Sequence, residues 1–158
     1  MSKQIAVLSD THGLLRSEVL EKIVGCDVII HGGDINSQEI LDQLEKIAPV
    51  YVVRGNNDKE WAGNIPETLT FQIEECLFFM VHNKKFVPEG LTDIDVVIFG
   101  HSHKYVEKYV DGRLWLNPGN CGKRRFDQEI TFALFIRHYK GKNMKKHCFR
   151  DNILIKLR

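Results

Sequence analysis

Between residues 5 and 53 short apolar runs alternate with stretches of helical periodicity: Ile5 to Leu8, Leu14 to Val24, Val28 to Ile30, Ser37 to Ile47 and Val50 to Val53. This rhythm predicts β-α-β-α-β with parallel strands. In the first helical stretch Leu15, Val19 and Ile23 recur every four residues, leaving Arg16, Glu18, Glu21 and Lys22 for water. In the second, Ile40, Leu41, Leu44 and Ile47 form the buried stripe, Asn36 with Glu39 reads as a capping box, and Pro49 closes the helix.

After about residue 65 the pattern turns to strands and turns: Leu69 to Ile73, Leu77 to His82, Val96 to Phe99, Tyr105 to Val110, Leu114 to Leu116 and Ile130 to His138. Asp111-Gly112 reads as a hairpin turn, since glycine accepts the positive φ such turns need. The tail, with Cys148-Phe149 and Ile153 to Leu157, adds one or two strands. No repeat or linker interrupts the 158 residues, so a single α/β domain is expected, its two halves packed as layers.

The 22 basic and 21 acidic residues nearly cancel, which removes the positive field of a sequence-independent nucleic-acid binder. A small phosphorylated molecule is the expected partner. Neither a signal peptide nor a membrane span is legible, because the first apolar run has only four residues. Cys26, Cys76, Cys121 and Cys148 are widely spaced, so four reduced thiols and a cytoplasmic location are expected.

Polar residues cluster just after the expected strands, where an open α/β sheet places its ligand. They are Asp10-Thr11-His12, Gly33-Asp34, Gly55-Asn56-Asn57-Asp58, His82 and Gly100-His101-Ser102-His103. Each group alone is ordinary turn chemistry; five together bring carboxylates, an amide and imidazoles to one edge. Two divalent cations need such ligands, with one carboxylate, here Asp34, bridging them. Mixed Asp, Asn and His donors suit Mn, Fe, Zn, Ni or Co without choosing among them, and manganese is the metal expected.

In order and spacing these five blocks resemble the calcineurin-like metallophosphoesterase superfamily, whose pattern is D-x-H, GD, GN-x-D/E, H and GH-x-H. The short length and Leu116-Asn117-Pro118-Gly119 look more narrowly like the small bacterial and archaeal phosphodiesterases of the YfcE/MJ0936 type. The resemblance implies an α/β/β/α sandwich, two mixed sheets flanked by helices. It implies that Asp10, His12 and His103 hold one metal, that Asn56, His82 and His101 hold the other, and that Asp34 bridges them. A hydroxide between the metals would then attack phosphorus.

Two departures bear on activity. Many relatives carry His, and the smaller subgroup often Cys, where this chain has Asn57, an amide that can donate to phosphate but cannot deliver a proton near pH 7. Either water or the substrate supplies that proton, or only good leaving groups are handled well, and appreciable turnover of activated phosphodiesters such as aryl esters is expected. After His82 the chain reads Asn83-Lys84 instead of Gly-His, which alters the mouth of the site but not the ligand. Asp58 is assigned to orienting the site and its loop, and His31 is left outside the ligand set. Arg124 and Arg125 are the phosphate-clamp candidates, and His138 and His147 receive no role. The alternatives are a non-catalytic or weakly catalytic metal-binding scaffold for protein assembly, as in a eukaryotic retromer subunit of similar fold, and a phosphomonoesterase or nuclease using the same metals. Homo-oligomerisation stays open.

Overall fold

The computed structural model describes residues 2–125, 127–138 and 151–157. The first half forms β1 (Ser2–Leu8), α1 (Ser17–Ile23), β2 (Val28–His31), α2 (Gln38–Glu45) and β3 (Val50–Val52), as its periodicity predicts. Both helices are shorter than expected. Ser37, not Asn36, is the N-cap of α2, and its side chain makes no capping bond. The expected capping box is absent because Asn36 takes the left-handed conformation, at φ 65°, and belongs to the preceding loop.

The second half supplies β4 (Thr68–Ile73), β5 (Cys76–Val81), β6 (Val96–Ile98), β7 (Val106–Val110), β8 (Arg113–Asn117), β9 (Ile130–His138) and β10 (Asp151–Leu157). Asp111 and Gly112 join β7 to β8 with positive φ at both residues, as a two-residue hairpin loop requires. The expected strand at Cys148-Phe149 and His147 lie outside the described residues. No helix among the described residues is long and apolar enough to cross a membrane.

The strands build two mixed five-stranded sheets, β10-β9-β1-β2-β3 and β4-β5-β6-β8-β7. In the first, β1 pairs in parallel with β2 and antiparallel with β9. Side chains alternate faces along a strand, and β1 shows the result. Ile5 and Val7 face the other sheet, packing with Phe78, Met80, Ile98 and Leu116, whereas Ala6 and Leu8 pack with Val19, Ile23, Leu41 and Leu44 of the helices. With both faces covered, β1 and β2 need continuous apolar runs.

Helices α1 and α2 thus cover the outer face of the first sheet. On the outer face of the second, Phe79, Val81, Val97 and Phe99 are covered by Val87, Leu91 and Ile94 from the connection between β5 and β6, which carries a single 3₁₀ turn at Lys84–Phe86. Pro88 and Gly90 in this connection oppose a longer helix.

Among the described residues the thiol expectation fails at Cys76, which is buried at the head of β5 and disulfide-bonded. Sequence spacing does not reveal which residues a β-sheet brings beside a cysteine. Cys26 and Cys121 are free and buried, and Cys148 lies outside the described residues.

Candidate metal centre

The site sits at the carboxyl ends of β1, β2 and β3 of one sheet and β5 and β6 of the other, where the two sheets meet. Backbone bonds between the loops lock it: Asp10 N donates to Gly33 O at 3.0 Å, His12 N to Asp34 O at 2.9 Å and Gly100 N to His82 O at 2.9 Å. Asp10, His12, Asp34, His101 and His103 all have positive φ, a conformation that is uncommon outside glycine.

Asp10 is fully buried. Its Oδ2 accepts from Ser9 Oγ at 2.6 Å and from His101 N at 3.1 Å. Its Oδ1 lies 3.2 Å from His103 Nε2, 3.5 Å from His12 Nε2 and 3.8 Å from His82 Nε2, with no hydrogen-bond partner. Burial pushes the carboxyl pKa up, but the neighbouring imidazoles and Ser9 outweigh it and hold Asp10 well below the usual carboxylate range. Asp34 behaves alike. Burial raises its pKa, and His82 and Asn57 bring it below the ordinary value.

Asp34 Oδ2 lies 3.1 Å from His82 Nε2 and 3.6 Å from His12 Nε2. It therefore touches one histidine from each expected metal group. His82 Nδ1–H donates to Gly32 O at 2.7 Å, which turns Nε2 inward, where that buried nitrogen has no hydrogen-bond partner. Burial alone would lower the His82 pKa; Asp34, Asp10 and the Gly32 carbonyl raise it.

These orphaned atoms test the fit to a metal. Buried polar groups are nearly always paired, yet Asp10 Oδ1 and His82 Nε2 are not, and the Nε2 atoms of His12 and His103 face each other at 3.2 Å. Donor atoms of Asp10, His12 and His103, and of Asp10, Asp34 and His82, lie within 4.8 Å of one another. Divalent cations fit this donor set. Asn56 and His101 lie alongside, more exposed, with Asn56 Oδ1 3.2 Å from His101 Nδ1 and the His101 ring edge-on to His82. Asp10, His12, Asp34, His82 and His103 thus come together, with Asn56 and His101 beside them.

The flanking residues divide differently. Asn57 donates to both oxygens of Asp34, from its backbone N to Oδ1 at 2.9 Å and from Nδ2 to Oδ2 at 3.0 Å, so its amide grips a carboxylate. Asp58 accepts from Ile35 N, Asn36 N and Gly55 N at 2.8 to 2.9 Å, fastening the loops after β2 and β3 together. His31 is fully buried between Thr11 Oγ1 and Gly33 N, and burial pushes its pKa down to about 4. Arg124 is exposed and bonds Gln128 O at 3.3 Å, and Arg125 is exposed. Arg54 pairs with Glu67, and the Lys84 ammonium stands over the Phe99 and Trp115 rings.

Three supporting residues escaped the sequence reading. Ser9 holds Asp10, as above. Asn117 Nδ2 donates to Gly100 O and Ser102 Oγ, each at 3.0 Å, bracing the loop that carries His101 and His103. Asn120 lies with Nδ2 3.3 Å from His103 Nδ1, its own amide fixed by Lys123 O and Gly122 N. Asn117 at the end of β8 and Asn120 three residues on were the available signal.

Comparison with known proteins agrees with this geometry. Residues 4–138 match the calcineurin-like phosphoesterase superfamily domain. A probable metallophosphoesterase of Methanothermobacter thermautotrophicus is 34% identical over 147 residues, covering 84% of this chain and 85% of that protein. The phosphodiesterase MJ0936 of Methanocaldococcus jannaschii is 31% identical over 143 residues, covering 75% of this chain and 84% of that protein. Among solved structures, a Vps29 single mutant from Entamoeba histolytica superposes with a TM-score of 0.69 at 25% identity, covering 84% of each chain. The chain belongs to the calcineurin-like phosphoesterase superfamily.

Proposed function

We propose that this protein is a phosphodiesterase that hydrolyses small phosphodiesters with two divalent cations, manganese first among them. The observation that carries the proposal is the buried convergence of Asp10 Oδ1 and the Nε2 atoms of His12, His82 and His103, with Asp10 Oδ1 and His82 Nε2 lacking any hydrogen-bond partner. Asp10, His12 and His103 would hold one cation, Asn56, His82 and His101 the other, and Asp34 would be shared between them. Bound cations supply Lewis acidity toward a phosphoryl oxygen and a water deprotonated near neutral pH for in-line attack.

The chain's own residues do the rest. Ser9 and the His101 amide occupy one oxygen of Asp10 and leave the other for the site. Asn57 fixes the carboxylate of Asp34 through both oxygens. No side chain at Asn57 can protonate a leaving oxygen near pH 7, so aryl esters are the preferred substrates. Arg124 and Arg125, on the loop that follows β8, are the proposed phosphate contacts.

The test compares initial rates of chelator-stripped, manganese-reloaded protein on bis-aryl phosphate, mono-aryl phosphate, cyclic nucleotides and DNA. Fastest turnover of the bis-aryl ester is expected. Inertness on every ester would sink the catalytic proposal, and fastest turnover of the mono-aryl ester or DNA would reassign it as a phosphomonoesterase or nuclease. A scaffold role is the second reading, favoured by the likeness to Vps29. It is distinguished by a protein that neither takes up manganese nor turns over any ester.

A further inference from the structure

Asn36 stands outside all five sequence blocks, yet its side chain reaches the metal centre from behind. Its amide lies among three groups: Asp58 Oδ1, the Asn57 backbone oxygen and His12 Nδ1. The first two only accept hydrogen bonds, so the NH₂ belongs to them, donating to Asp58 Oδ1 at 3.3 Å and to Asn57 O at 3.1 Å. The amide oxygen then faces His12 Nδ1 at 3.4 Å. An oxygen opposite Nδ1 requires the imidazole proton there. His12 Nε2 is left bare, pointing at Asp10 Oδ1 and Asp34 Oδ2.

We propose that Asn36 is a positioning residue that holds His12 in its Nδ1-protonated tautomer with Nε2 open to the cation. This rests on the metal-centre reading above. His82 receives the same service from a backbone carbonyl, Gly32 O, which no substitution can remove; His12 receives it from a side chain, which can be changed. The arrangement follows the general habit of metal-binding histidines, whose second ring nitrogen is fixed by an outer partner. The left-handed backbone at Asn36, φ 65°, aims the amide across the loop instead of into α2.

Asn36→Gly tests it, because glycine takes the same φ without strain and removes only the amide. Long-range ¹H–¹⁵N spectra of metal-free, ¹⁵N-histidine-labelled protein read the tautomer directly, and titration calorimetry with manganese reads affinity. The expected result is a single Nδ1–H tautomer at His12 in the wild type, a tautomer mixture in Asn36→Gly, and manganese affinity lower by about 10- to 100-fold. An unchanged His12 tautomer in Asn36→Gly, or a mixture with unchanged manganese affinity, overturns the proposal. If the wild type takes up no manganese, the metal reading falls, and the metal-free spectra alone decide whether Asn36 governs His12.

Discussion

Gly55 opens the loop that carries Asn56, Asn57 and Asp58, and its backbone runs against Asp34. A Cβ added there would collide with Asp34 Oδ1, and would stand 2.5 Å from Asp34 N and 2.7 Å from Asp34 Cγ. Two of these atoms could swing away with the side chain, but the backbone nitrogen cannot, since its own loop is bonded to Asp10, His12 and Asp58. Gly55→Ala must therefore move a loop, and overpacking of this kind costs about 1–3 kcal/mol. A backbone obstacle argues for the upper end. In a domain of this length about 3 kcal/mol lowers Tm by roughly 6–12 °C. Gly63→Ala is the control: Gly63 is already near helical, at φ −58°, and an added Cβ would meet Glu60 O at 3.4 Å, an ordinary contact. Its stability is expected to stay within about 0.5 kcal/mol of wild type. Thermal melts of the three metal-free proteins give the comparison. If Gly55→Ala melts with the wild type and the control, the loops do not approach as closely or as rigidly as the reasoning requires.

Asp34→Asn is expected to fold normally and to weaken manganese binding by more than the roughly 10–100-fold typical of losing an outer partner, read by calorimetry; unchanged affinity removes Asp34 from its bridging role. Asn57→His is expected to split two effects, lower manganese affinity from loss of the Nδ2 bond to Asp34 and a higher ratio of alkyl-ester to aryl-ester turnover from a new proton donor. A ratio that does not move says that protonation is not limiting. Asp58→Ala strips the acceptor from three backbone amides and is expected to cost about 2–4 kcal/mol in urea unfolding, whereas a loss under about 0.5 kcal/mol would mean the amides find water instead. His31 titrates near 4 when folded and at its ordinary 6.5 when unfolded, so its contribution is fully present above 6.5 and is lost as pH falls toward 4. Between about pH 8 and pH 5.5 the wild type should lose roughly 1.4 kcal/mol more than His31→Gln, and parallel losses in the two proteins would contradict a buried neutral His31.

What the sequence disclosed and what it hid separate along one physical line. Local periodicity carries the elements: Ile5 to Leu8 and Val28 to Ile30 read as buried strands because both faces of β1 and β2 are covered, and Asp111-Gly112 reads as a hairpin because two residues suffice to close it. The residues that meet at the site were legible because each lies within a few residues of a strand end. Contacts between loops were not. The grip of Asn57 on Asp34, the bracing of Gly100 by Asn117 and the fastening of Ile35 by Asp58 join residues 17 to 23 positions apart. Such bonds depend on which strands become neighbours, and the order β4-β5-β6-β8-β7 is not the chain order. The helix starts failed for a related reason. Asn36 looked like a cap by its spacing to Glu39, while its side chain has partners across the loop that a spacing rule does not see.

The distribution of backbone strain bears on which function the fold serves. Among the described residues, nine that are not glycine have positive φ. Glu74, Asp93 and Asp111 lie in turns away from the site, and the other six are Asp10, His12, Asp34, Asn36, His101 and His103. Each such conformation costs of order 1–3 kcal/mol and persists only where the surroundings overdetermine it. If these loops were needed only as turns, glycine would relieve the cost at every one of them, at no loss to the sheets. Instead the chain keeps carboxylates, an amide and imidazoles there, and the strain is what brings their side chains together from three separate loops. An assembly surface on the outside of the molecule has no use for that convergence. A metal centre does, and this is the physical ground for reading these loops as built around bound cations.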